Sequence, residues 1–472
     1  MMDPELKAKA EKMVRGLDIP RLKNEGLLAL NDQFFPSVHY PPITMYPPIT
    51  EEALFQGYQV PADKFFDIYI HIPFCIKYCA FCHYPVKLGE MRAEKDRYLD
   101  ALEREMDFYL ARLGLTKFRA RSVLVGGGTP TYLKPAQLRR FLEFFCARTD
   151  LSSRPQFSYD VDPVTITDAE GPARLKLLRE RGVDRLTIGL QSLDDALLKV
   201  MNRHHDAAAA VRSVREARDA GFKVNVELIY GYPAQTLESW ADTLEKTAAL
   251  AADEIQLYRL KVVPYGDHTG AIAKKFGVKR EEFLSLEQTI LMKAYATAFL
   301  PQAGYNENLA RVYSRTRDDF SRYAHDQCCN LFDQVGFGLT AFSSLRDRFA
   351  LNTQDFEEYY SLIAGGKLPV NRGLIRTAEN QLRWAVALPL KNRKVIKAYF
   401  KKLTGRDLNE AFGKKIEKLK SFGLLSEDAN FLTLTEKGRF FADEVCHQFH
   451  HPDYVPFPRE TYSPGALSPY ND

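Results

Sequence analysis

The chain has 472 residues, 45% of them hydrophobic and 27% charged, with a formal charge of +4. At roughly 150 residues per domain this length holds two or three domains, or one large barrel with additions, and the composition excludes collagen-like, low-complexity and disordered chains. The 65 basic and 61 acidic residues are evenly spread, so nucleic acid is not an expected partner, and no run of about 18 apolar residues predicts a membrane span.

Residues 1–64 read as an N-terminal extension. It opens on a charged helical stretch over 4–15 without the apolar core of a secretory signal, so a cytoplasmic location is expected. The near-duplicate HYPPITMYPPIT (39–50) follows. Each proline there fixes φ and removes a donor, which predicts an extended course over the surface.

From residue 65 short β-branched and aromatic runs alternate with amphipathic stretches. The runs are FFDIYIHI, RSVLVGGG, QFSYDVDP, RLTIGLQS, KVNVELIYG and EIQLYRLKVV; the stretches lie at 95–113, 135–149, 173–181, 194–220 and 236–251. Six strand–helix units predict a parallel sheet with helices on its outer face. Six is short of the eight of a closed barrel, so the fold class is α/β, a partial (β/α)6 barrel over 65–270 with an open side. The loops that follow the strands then share one rim, where the chemistry is expected.

Residues 271–374 read as a barrel-completing, substrate-side region. Its segment GFGLTAF (336–342) is expected to be a buried strand with close backbone approach. Helices, a turn and a short hairpin over 375–449 predict an α+β domain of winged-helix type, followed by a proline-rich extended tail, 450–472. That fold type does not imply DNA binding. Lys414, Lys415, Lys418 and Lys420 read as a solvated face.

Seven cysteines sit at 75, 79, 82, 146, 328, 329 and 446. An odd count with three in eight residues is no disulfide framework. Cys75, Cys79 and Cys82 have the spacing C-x3-C-x2-C directly after an apolar strand, so a short loop converges three thiolates, the natural ligands of an iron–sulfur cluster. Three ligands for a 4Fe-4S cluster leave one iron open to a small molecule. Zinc is the competing reading, with His83 or His71 as fourth ligand. Cys328 and Cys329 read as buried thiols. His204, His205, His447, His450 and His451 admit a metal reading, the last three at the i, i+3, i+4 spacing of one helix face, but no nearby carboxylate pattern supports it.

The cysteine loop, with Phe81 before its last cysteine, resembles the signature of the radical S-adenosylmethionine (SAM) superfamily. The blocks YIHIPFC, VGGGTPTYL, DVDP, RLTIGLQS, MNRHH and ELIYGYPAQT occur in the order of the oxygen-independent coproporphyrinogen III oxidase family, and the likeness runs to LTEKGRFFADEVC. The resemblance implies a 4Fe-4S cluster on Cys75, Cys79 and Cys82 whose open iron chelates SAM, a second SAM, and a low-potential electron donor such as flavodoxin or ferredoxin. It implies SAM contacts at Tyr69, Phe81, Asp160 (where the family has Glu) and Glu227 (where it has Asp), and a second-SAM contact at Phe342. Each block also has its own physical reading. Gly126, Gly127 and Gly128, then Thr129, follow a strand, and missing side chains let backbone amides approach a ligand. Asp160 and Asp162 end a strand facing the interior. Gln191 ends the next, and Arg203 lies twelve residues on with a fork suited to a carboxylate.

Two departures from that family bear on the reaction. Tyr84 stands where the oxidase loop has a fourth cysteine, and Ala324 where it has a glutamine on the second SAM. The favoured reading is a class C-like methylation of an sp2 carbon on a planar conjugated substrate, such as a tetrapyrrole, quinone or aromatic natural product. Oxidative decarboxylation of coproporphyrinogen III is the alternative, and a haem-binding chaperone with little catalysis is a third. A monomer is expected.

Overall fold

The computed structural model describes residues 2–264, 268–317 and 319–471. All six predicted runs are strands: β1 (Phe65–Ile72), β2 (Phe118–Gly127), β3 (Gln156–Val161), β4 (Arg185–Gln191), β5 (Lys223–Tyr230) and β6 (Glu254–Arg259). They pair in parallel in sequence order, with Asp67 opposite Ser122, Asp160 opposite Thr187 and Glu227 opposite Gln256. Most strand residues are buried on both faces, as parallel strands under helices require. The covering helices are Arg92–Leu113, Pro135–Arg148, Gly171–Glu180, Ala207–Asp219 and Leu237–Ala249.

The stretch 194–220 differs from its prediction as one helix. It forms two, Asp195–Val200 and Ala207–Asp219, because Asp194 and Asp206 each cap a helix N-terminus and Asn202 turns left-handed between them (φ 59°). The break carries Arg203, His204 and His205 to the rim.

The sheet continues past the six units on both sides. β7 (Asn306–Leu309) and β8 (Val312–Ser314) form a hairpin whose second strand pairs antiparallel with β6. On the other side β9 (Gln334–Phe337) pairs parallel with β1, and β10 (Phe342–Leu345), β11 (Arg348–Asn352) and β12 (Val370–Ile375) follow antiparallel. GFGLTAF is therefore a turn between two strands rather than one strand. Gly338 and Thr340 take positive φ there. The close approach is present, since a Cβ on Gly336 would lie 2.2 Å from the Phe342 carbonyl.

The described sheet ends on β7 and β12, so the barrel is partial. The proline-rich stretch does not run over the surface as its composition predicts. It threads into the opening: His39, Tyr40, Ile43 and Tyr46 are buried, and Pro48 bridges Arg372 of β12. The His39 ring meets Phe342 at 4.0 Å and Tyr46 stacks on Phe349. The aromatic and aliphatic residues between the prolines bury enough apolar area to make this the favourable course. Beyond residue 375 the helices Ala378–Asn392, Lys397–Thr404 and Leu408–Ser421 carry a three-stranded sheet of β13 (Val395–Ile396), β14 (Leu425–Glu427) and β15 (Phe431–Leu434), with β15 central. Among the described residues no helix is long and apolar enough to cross a membrane.

Candidate active site at the strand rim

A cavity of about 350 Å³ opens at the C-terminal ends of β1–β6, within the usual range of small-molecule sites. Cys75, Cys79 and Cys82 all line it. The cysteine loop is held from both sides: the Ala80 amide donates to the Met201 carbonyl at 3.0 Å, the Ile272 amide to the Ala80 carbonyl at 2.9 Å, and Asn202 Nδ2 to the Tyr78 carbonyl at 2.7 Å. Phe81 lines the cavity and packs on a small cluster that includes Met201, Ile229 and Tyr232.

Burial pushes the Cys75 thiol up to about 12 and Cys82 up to about 11, so these groups ionise only against a compensating cation. An iron–sulfur cluster supplies one, and the three thiols fit it. They fit zinc poorly. Among the described residues no three His, Cys, Asp or Glu side chains close around a single-ion site. Both histidines proposed as a fourth ligand are engaged: His71 bonds the Tyr69 hydroxyl at 3.0 Å, and His83 bonds the Lys261 carbonyl and the Gly270 amide. The histidine trio near 450 is no metal set either. Its helix, Ala442–His447, ends before His450 and His451, and His450 Nδ1 bonds the Tyr454 carbonyl.

The glycines serve the cysteine loop more than they offer free amides. The Gly128 and Thr129 amides already donate to the Ile72 and Phe74 carbonyls, which corrects the expectation that they face a ligand. A Cβ on Gly128 would lie 2.8 Å from the Phe74 carbonyl and 2.9 Å from Cys75 Sγ, and one on Gly127 would strike the His71 ring. Bare backbone here lets the loop lie against β2. Gly127, Gly128 and Thr129 still line the cavity, and the Thr129 hydroxyl stands 3.7 Å from Cys75 Sγ.

Arg203 is buried, not a surface ion pair. Its Nη1 donates to Cys79 Sγ at 2.9 Å, and its Nη2 to Asp162 Oδ2 at 3.0 Å and to the Gly189 carbonyl. His204 Nε2 holds the other Asp162 oxygen at 2.9 Å. Burial works against the Asp162 charge, yet the His204 bond and Arg203 keep its carboxyl down at about 2. Among the described residues Arg203 Nε and His204 Nδ1 are buried with no hydrogen-bond partner, as expected of polar atoms directed at a ligand.

Deeper in the barrel, burial and then the neighbouring Glu227 push Asp160 up to about 8, and burial raises Glu227. The Tyr258 hydroxyl donates to Glu227 at 3.0 Å. Buried carboxyls with raised values suit a cationic ligand such as the sulfonium of SAM. Gln191 completes this wall at a bulge, with φ 65°.

Tyr69 and Phe342 stack on each other, 6.4 Å between centroids, and the Tyr69 ring lies beside Gly126 on the face that carries Asp160. Asp162, expected to face the interior, lines the cavity as a partner of Arg203, and residues that strand-by-strand reading missed line it too: Tyr258, Arg259 and Lys261 at the end of β6. Burial drops Lys261 to about 6. Their signal was the strand-end position of the YRLK block, which has no local motif.

Strand-end carboxyls, a buried arginine on a three-cysteine loop and a parallel partial barrel define an iron–sulfur enzyme of the radical SAM type. Residues 69–247 match the radical SAM superfamily and residues 377–441 the HemN C-terminal domain. It is similar to the oxygen-independent coproporphyrinogen III oxidase of Escherichia coli, 29% identical over 84% of this chain and 88% of the relative. It is also similar to the heme chaperone HemW of Bacillus subtilis, 28% identical over 81% of this chain and 98% of the relative. The solved Escherichia coli coproporphyrinogen III oxidase, titled a radical SAM enzyme, superposes with a TM-score of 0.74 at 26% identity, covering 87% of this chain and 94% of that one. Enzymes of this superfamily use a 4Fe-4S cluster and SAM.

Proposed function

We propose that the chain carries out a radical SAM modification of a planar conjugated substrate of the tetrapyrrole class. When bound, the cluster and SAM supply a 5′-deoxyadenosyl radical that takes a hydrogen atom from carbon. The chain's own residues do the rest. Cys75, Cys79 and Cys82 would hold the cluster, Arg203 keeps its Nε for the cofactor beside it, and Asp160 and Glu227 would face its cationic part.

Methyl transfer to an sp2 ring carbon is the favoured outcome. The observation that carries it is Tyr84, half exposed at the cavity where the oxidase family has a fourth cysteine. The second reading is oxidative decarboxylation of a propionate side chain, favoured by the likeness to the Escherichia coli oxidase. A carrier that binds haem without turnover is the third, favoured by the Bacillus subtilis relative. A second SAM belongs to the first two readings; His39 occupies the space beside Phe342, so admitting it there requires the N-terminal segment to shift.

Mass spectrometry of a reduced, anaerobic reaction with haem or coproporphyrinogen III separates the readings. A product heavier by one methyl group supports methylation, loss of carbon dioxide supports decarboxylation, and unchanged tetrapyrrole supports the carrier. Absence of 5′-deoxyadenosine with every substrate contradicts the radical reading.

A further inference from the structure

A second cavity, of about 100 Å³, lies between the β6–β8 edge of the sheet and the C-terminal region. Its walls are cationic. Arg259, Lys293 and Arg311 face it from the barrel, and Lys391, Arg393 and Arg439 from beyond residue 375, against two acidic side chains, Glu307 and Asp443. For a chain whose whole formal charge is +4, this is a local concentration.

Only part of that charge is balanced inside the protein. Lys391 pairs with Asp443 at 2.5 Å, and Arg259 lies 3.7 Å from Glu444. Arg393 and Arg439 make no ion pair with a carboxylate among the described residues. The Lys293 ammonium spends two donors on the backbone carbonyls of Arg439 and Phe440, at 2.6 and 3.3 Å, which leaves its third. A lysine held this way in a low-dielectric wall favours an anion.

The cavity also adjoins the active site. Arg259 lines both, and the Arg311 guanidinium lies 4.9 Å over the ring of Tyr258, whose hydroxyl bonds Glu227. Arg259 is the residue the two cavities share.

We propose that this cavity is an anion subsite that takes a carboxylate arm of the substrate while the conjugated ring lies toward the cysteine loop. The choice of probe rests on the tetrapyrrole reading above. The volume admits one carboxylate with its guanidinium and ammonium partners, and the Arg forks match its two oxygens.

The test is an absorbance titration of the reconstituted full chain with protoporphyrin IX and with its dimethyl ester, on wild type, Lys293→Met and Arg439→Gln. The diacid is expected to bind about tenfold more tightly than the ester, and each substitution to remove most of that preference without weakening the ester. Equal binding of diacid and ester by wild type, or a preference untouched by both substitutions, overturns the subsite and leaves the tetrapyrrole reading standing. A wild type that binds neither overturns that reading and the subsite with it. Arg439 is exposed, so if Lys293→Met does not fold, Arg439→Gln decides alone.

Discussion

Arg203 Nη1 stands 2.9 Å from Cys79 Sγ, so a fixed positive charge donates a hydrogen bond to one of the three cluster thiols. The same guanidinium is pinned by Asp162 and the Gly189 carbonyl, and Asp162 by His204. Donors to a ligand sulfur stabilise the reduced, more negative form of a cluster and raise its potential.

Arg203→Lys keeps the charge but loses the fork that spans sulfur and carboxylate. It is expected to lower the cluster potential by on the order of tens of millivolts, and Asp162→Asn to do so by less. Redox titration followed by electron paramagnetic resonance reads the shift directly. An unchanged potential in both variants would show that the contact does not tune the cluster.

Gly128→Ala places a methyl 2.9 Å from Cys75 Sγ and 2.8 Å from the Phe74 carbonyl. Neither strand can retreat without breaking the Thr129 to Phe74 backbone bond of 2.7 Å. Overpacking of this kind costs about 1–3 kcal/mol. Iron content after reconstitution should fall well below that of wild type while the far-ultraviolet circular dichroism is retained.

Asp160 gives a pH dependence with a definite sign. Its ordinary value is 3.8 and burial lifts it to about 8, so in the ligand-free protein it is neutral at pH 7. A cationic cofactor favours the ionised form and pulls the value down. SAM affinity should therefore strengthen as pH rises toward about 8 and level off above it, and Asp160→Asn should flatten the profile. For stability the sign is opposite. A folded value above the unfolded one means stability is lost as pH rises from about 4 to about 8, so Asp160→Asn should raise the melting temperature of the ligand-free chain at pH 7. Calorimetric titration and thermal melts across pH 6–9 check both.

The parallel core was legible because its signal is local. Runs such as FFDIYIHI and KVNVELIYG are β-branched and buried on both faces, and all six became neighbours in sequence order. The three cysteines were legible because their spacing alone converges them. What escaped depends on distant partners. The burial of His39 and Tyr40 needs Phe342, Asn380 and His451, hundreds of residues away. Asp162 gains its role only when the helix break at 201–206 returns Arg203 and His204 to it. Tyr69 and Phe342, carried over from the family pattern, stack on each other, with the Tyr69 ring on the same interior face as Gly126 and Asp160, a neighbourhood set by three different strands.

The most direct test is iron and acid-labile sulfide analysis of the anaerobically reconstituted chain beside a Cys75→Ala, Cys79→Ala, Cys82→Ala triple variant. The site geometry predicts about four irons and four sulfides per wild-type chain and essentially none in the variant. A wild type without iron and sulfide, or a variant that retains both, would contradict it.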